Sequence, residues 1–261
     1  MMNLENPLLY GDYCTPDGKS GFFSSLFPSI SFYTRMALTV RHAAALSKKD
    51  LYDSSEWVQS SLRIVNALEK AGGSICIENS EAINTIKGPC VFIANHMSTL
   101  ETFVLPSIIQ PRKDVTFVVK QSLAEYPFFK HVLLTREPVT VSRTKPREDL
   151  KAVLEGGEKR LRQGRSIIVF PQSTRSYKLD KNLFNSIGVK LARKAGVPVV
   201  PLALDTRVWG IGSLLKDFGK ISPGLPARFK FGQPISIDGN GKAEHAAICD
   251  FIVDTLTAWG V

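Results

Sequence analysis

His96 and Glu101 stand five residues apart in Ile93-Ala94-Asn95-His96-Met97-Ser98-Thr99-Leu100-Glu101. An imidazole beside a carboxylate is the raw material of a general base. On one continuous helix five residues turn through about 140°, so these side chains would not share a face. They meet if His96 lies in a turn and the helix starts just after it. The carboxylate then fixes the tautomer and leaves the other ring nitrogen free to take a proton. A structural reading competes. Ser98-Thr99-Leu100-Glu101 is also an S-x-x-E capping box, in which Glu101 returns to the Ser98 amide. The two roles are compatible, and spacing does not separate them.

The second dense stretch is Phe170-Pro171-Gln172-Ser173-Thr174-Arg175-Ser176. Arg175 offers a planar fork beside the hydroxyls of Ser173 and Thr174, a set suited to a phosphate. The alternative is an arginine on a solvated loop. Lys120 and Arg143 each close an apolar run in the same manner, which puts three cations at three strand ends.

The elements that must position these residues alternate. Residues 90–94, 115–119, 139–141, 166–170, 197–204 and 227–231 read as strands from their apolar, β-branched character. Pro198 and Pro201 suit the fifth of these to an edge or a distorted place. Residues 149–163, 183–195 and 242–259 read as helices, the first two ending at Gly164 and Gly196. This alternation predicts an α/β fold with a mostly parallel or mixed sheet flanked by helices, and sites where strands end. Residues 76–261 form that α/β domain. Residues 1–75 form an N-terminal arm and helices, one of them over about 54–71. No residue from Gly21 to Thr34 is charged, and Phe22, Phe23, Phe27, Phe32 and Tyr33 crowd the stretch. Phe27, Ile30, Tyr33, Met36, Ala37, Val40 and Ala44 recur at helical spacing. Such a face suits a helix packed on the core, or an interfacial helix seated on a membrane.

The chain has 261 residues, 44% hydrophobic and 22% charged, which is ordinary globular composition. Its +9 charge, from 33 Lys and Arg against 24 Asp and Glu, favours an anionic partner. Cys14, Cys76, Cys90 and Cys249 show no C-x-x-C spacing and no sign of a disulfide framework, which points to a reducing compartment. The four histidines show no metal-site spacing. The start lacks a secretory signal, and no apolar run nears the roughly 18 residues of a spanning helix. There is no G-x-S-x-G elbow. Gly18-Lys19-Ser20 has Tyr13 where a P-loop needs its first glycine, and Gly210-Ile211-Gly212 lacks the third glycine of a dinucleotide site. The basic residues form no nucleic-acid-binding motif, so no nucleic-acid partner is expected.

Asn95-His96 with Glu101 resembles the H-x4-D box of the glycerolipid (lysophospholipid) acyltransferase family, with glutamate for the usual aspartate. Phe170 to Ser176 resembles its F-P-E-G-T-R-S box, with Gln172-Ser173 for Glu-Gly. Lys120-Gln121-Ser122-Leu123, Pro127 and Val139-Thr140-Val141-Ser142-Arg143 resemble its middle block. Gly196 to Leu202 is similar to its fourth block, and Phe231-Gly232-Gln233-Pro234-Ile235 to its closing strand. The likeness runs in order over about residues 88–238.

The resemblance implies an O-acyltransferase that moves a fatty acyl chain from a thioester, acyl-CoA or acyl carrier protein, to a hydroxyl of a lysophospholipid such as lysophosphatidate. His96 would be its base and Glu101 the partner that orients it. Lys120, Arg143, Gln172, Ser173, Thr174 and Arg175 would meet substrate, with no metal and no cofactor besides the donor. It also implies a peripheral enzyme on membrane surface lipids at the cytoplasmic face, seated by the N-terminal helices. The alternative on the same fold is a non-catalytic lipid-binding or scaffold protein, with Gln172-Ser173 as the mark of lost chemistry.

Overall fold

A computed structural model describes residues 4–19, 21, 24, 26–124, 130–213 and 215–261. Ser20, Phe22, Phe23 and Pro127, singled out in the sequence, lie outside them. In chain order the described elements are β1 (Tyr13–Cys14), α1 (Pro28–Ser47), α2 (Ser54–Lys70), β2 (Ile75–Glu78), β3 (Val91–Ala94) and α3 (Leu100–Ile109). There follow β4 (Val115–Lys120), α4 (Gln121–Ala124), α5 (Lys130–Leu134), β5 (Val139–Val141) and α6 (Pro146–Arg162). The chain closes with β6 (Ser166–Val169), α7 (Ile187–Ala195), β7 (Val199–Asp205), β8 (Ala227–Phe231) and α8 (Lys242–Ala258).

The strands make one sheet in the order β1-β2-β8-β7-β3-β6-β4-β5. Pairing is antiparallel at β1–β2 and β7–β8 and parallel elsewhere, which is the mixed, helix-flanked sheet the alternation predicts. Period-2 alternation splits each central strand between two cores. Phe92, Ala94, Phe117, Ile168, Val200 and Leu202 join Phe32, Met36, Leu62, Leu68 and Val104 of α1, α2 and α3 on one face. Val91, Ile93, Ile167, Val169 and Val199 join Val153, Val189, Leu191 and Ile252 of α6, α7 and α8 on the other. Gly188 lets α7 sit close on β3, since a Cβ there would lie 2.8 Å from Ile93 Cδ1.

Several expectations are corrected. Of the two places offered for the strand carrying Pro201, the edge is excluded and the distorted place holds: it is internal, between β3 and β8, and buried throughout. Pairing with β8 begins only at Leu202, so the missing proline N–H faces a break in the ladder, where its carbonyl still accepts the Gly232 amide. Helix α6 starts earlier than residue 149, with Pro146 in its first turn, and α7 later than 183, at Ile187. The buried face of α1 is Phe32, Met36, Thr39 and Ala43, whereas Phe27 and Ile30 of the expected stripe stand 62% and 67% exposed. Cysteine spacing gave no sign of pairing, yet β1 sets Cys14 opposite Cys76, and a disulfide joins them with Cα atoms 4.1 Å apart. The border drawn after residue 75 falls at the first residue of β2. No described helix is long and apolar enough to cross a membrane.

Candidate active site

Strand β3 ends at Ala94, α3 begins at Leu100, and the turn between them is pinned on every side. Asn95 locks to β7: its amide donates to the Leu204 carbonyl at 2.8 Å, and the Leu204 N–H returns to its oxygen at 2.8 Å. His96 donates its main-chain N–H to Gln172 Oε1 at 2.6 Å and accepts the Ser176 N–H on its carbonyl at 2.9 Å.

The His96 ring lies on Phe170, centroids 4.5 Å apart, and puts Nδ1 2.8 Å from Glu101 Oε1. Glu101 is fully buried and accepts from five donors: His96 Nδ1, the Met97 and Ser98 amides, Ser98 Oγ and Thr206 Oγ1. Burial pushes this carboxyl up, but the bond from His96, the histidine's charge and the Thr206 hydroxyl outweigh burial and hold it below its ordinary value. An ionised carboxylate only accepts, so the hydrogen sits on His96 Nδ1 and the lone pair of neutral His96 is on Nε2. Helix cap and histidine partner are thus one side chain in one place.

An apolar cavity of about 200 Å³ opens at His96 and runs between the sheet and α1 and α2. Met36, Val40, Trp57, Phe103, Phe117 and Trp209 are among the residues that line it. Its polar rim holds Thr99, Arg175 and Asp217. A mostly apolar lining with a few polar groups is the usual build of a small-molecule site.

The strand-end residues divide. Arg175 Nη1 donates to Thr99 Oγ1 at 2.8 Å, while Nη2 forms an ion pair with Asp217 from the 206–224 loop. Arg143 is held at φ +63°, where Asp149 accepts both its amide at 2.7 Å and that of Ser142 at 2.6 Å. Its guanidinium donates to the Ser173 carbonyl at 2.7 Å. Burial and the neighbouring charge of Arg175 hold Arg143 below its ordinary value. Two cations fixed this close repel, and an anion between them removes the repulsion. Lys120 stands exposed at the end of β4 and is bonded to neither. Ser173 and Thr174 are exposed, whereas Gln172 turns inward, 7% exposed, onto the His96 main chain.

Thr206 and Asp217 carry no sequence signal as members of this site, since both arrive from the connection between β7 and β8, more than a hundred residues after the His96 turn.

A family model described as Acyltransferase matches residues 74–205, just over half of the sequence, and the chain belongs to that family. It is 32% identical over 146 residues to the 1-acyl-sn-glycerol-3-phosphate acyltransferase of Pseudomonas aeruginosa, which is 56% of each chain. To the enzyme of the same name from Saccharomyces cerevisiae it is 32% identical over 124 residues, 47% of this chain and 40% of the yeast protein. The chain therefore spans about half the length of these curated relatives. The crystal structure of the 1-acyl-sn-glycerophosphate acyltransferase of Thermotoga maritima has the same fold, with TM-score 0.69 over 92% of this chain and 97% of that one at 17% identity.

Proposed function

We propose that the protein is an O-acyltransferase that moves a fatty acyl group from a thioester, acyl-CoA or acyl carrier protein, to the free hydroxyl of a lysophospholipid such as lysophosphatidate. One observation carries this reading: His96, bonded to Glu101, lines an apolar cavity together with Arg175. The acyl chain lies in the cavity and brings its thioester carbonyl to His96. The acceptor places its phosphate at Arg175 and Arg143 and its hydroxyl at His96 Nε2.

As that hydroxyl attacks the carbonyl carbon, Nε2 takes its proton and Glu101 stabilises the imidazolium. The intermediate collapses, the carbon–sulfur bond breaks, and the thiolate recovers the proton from His96. No acyl-enzyme is needed, because both substrates are aligned in one site. The names of the two curated relatives support lysophosphatidate as acceptor.

A peripheral seat on the cytoplasmic face of a membrane completes the proposal. Leu26, Phe27 and Ile30 at the start of α1 are exposed, as are Ile211 and Leu215 of the 206–224 loop. The two segments are tied together, Tyr33 Oη donating to the Gly219 carbonyl and the Ile221 amide to Ser29 Oγ. Clustered exposed apolar side chains on a protein of charge +9 suit an anionic lipid surface.

The test is incubation of the pure protein with labelled acyl-CoA or acyl carrier protein and a panel of lyso-lipids. Label is expected in a diacyl product, with phosphate-bearing acceptors preferred. Lipid binding without transfer would return the protein to the non-catalytic alternative.

A further inference from the structure

Gln172 lies beside exposed Ser173 and Thr174 on the loop after β6, yet is itself only 7% exposed. An N–H needs an acceptor, so the contact of 2.6 Å with the His96 amide fixes which end of the carboxamide faces the histidine: its oxygen. Four residues on, the Ser176 amide holds the His96 carbonyl. The loop thus grips both polar groups of the His96 main chain, while Glu101 and Phe170 hold its ring.

We propose that Gln172 is a positioning residue for His96, anchoring its main chain from the β6 loop, and that its uncharged amide leaves Glu101 as the one carboxylate bonded to that histidine among the described residues. This rests on the reading of His96 as the base. Among the described residues the charged groups around the ring are few. Glu101 comes from α3, and Arg175 and Asp217, paired to each other, come from two loops. Arg143 donates to the Ser173 carbonyl, and Arg136 also lines the cavity, donating to Ser54 Oγ. Helices α1 and α2 present uncharged residues to this cavity, among them Met36, Thr39, Ser60 and Ser61.

A second carboxylate at residue 172 would stabilise the imidazolium, and the neutral base would then exist only at higher pH. Loss of the acceptor would instead leave the His96 amide buried and unpaired and let the turn shift.

The experiment uses the full chain with ring-labelled histidine, His96 being assigned by the signal lost in His96→Gln. Gln172→Glu keeps the hydrogen bond and is expected to raise the His96 titration midpoint by about one pH unit. The acid limb of the kcat profile should move with it. Gln172→Met should lower kcat about tenfold or more while KM for the donor holds. An unmoved His96 midpoint in folded Gln172→Glu would overturn the proposal, and so would parent kcat in folded Gln172→Met. If the midpoint moves and the rate profile does not, the contact stands and the assignment of His96 as base falls. Gln172→Glu decides the matter even if the methionine variant does not fold.

Discussion

Glu101 Oε1 lies 2.8 Å from His96 Nδ1 and 2.8 Å from the Met97 amide, so one oxygen holds both the ring and the turn that carries it. The other oxygen takes Thr206 Oγ1 at 2.7 Å and ties the same turn to the end of β7. A glutamine here would do more than remove a charge. Its NH2 group would face donors whichever way it turned, His96 Nδ1 and the Met97 amide on one side or the Thr206 hydroxyl on the other. We therefore expect Glu101→Gln to cost on the order of 1–3 kcal/mol in chemical denaturation, more than the loss of a simple cap. Turnover should fall by orders of magnitude. Thr206→Val is the control: it removes one donor, leaves the His96 bond and should retain most of kcat. Parent turnover in Glu101→Gln would leave the carboxylate as a helix cap alone.

Because the Glu101 carboxyl is held below its ordinary value, it contributes stability at pH above the unfolded value of about 4.3. That contribution is lost as pH falls through the lower folded value. Urea unfolding free energies of the parent should thus decline through this acid range. The decline should be shallower in Glu101→Gln by up to about 1.4 kcal/mol per pH unit. Equal slopes would show that Glu101 titrates alike in both states.

Asp217 already occupies the Arg175 fork that a substrate phosphate is proposed to use. Neutralising it removes both a competitor and a repulsion, so Asp217→Asn should lower KM for lysophosphatidate several-fold. Arg175→Lys keeps the charge but loses the planar fork and should raise that KM. The same initial-rate series measures both variants. If neither shifts KM, the acceptor phosphate binds elsewhere.

The exposed α1 residues offer a cleaner membrane test than truncation, because Phe32, Met36 and Ala43 of the same helix belong to the core. Phe27→Glu combined with Ile30→Glu should leave thermal melting near the parent and weaken sedimentation with anionic vesicles, and added salt should weaken parent binding as well. Unchanged sedimentation would place the lipid contact on another face.

What could be read from the sequence was local. Val139–Val141 and Ala227–Phe231 form strands at their expected limits, because short β-branched or alternating runs announce themselves. The His96–Glu101 pair was legible for the same reason, lying within one turn. Partners that arrive across the fold were not. Thr206 reaches Glu101 over 105 residues, and Cys14 meets Cys76 over 62, both through strand register rather than spacing. Pro201 left an edge or a distorted place open, and only with β8 in place does the ladder break opposite it decide for the second. Gln172 sits in the motif with residues that reach the rim, and only the fold turns it inward.

The central claim is that His96 takes the acceptor proton, and turnover of His96→Ala with labelled acyl-CoA and lysophosphatidate tests it most directly. A loss of at least about a hundredfold in kcat, with a melting temperature near the parent, is the predicted result. A folded His96→Ala protein that keeps most of its turnover would contradict it.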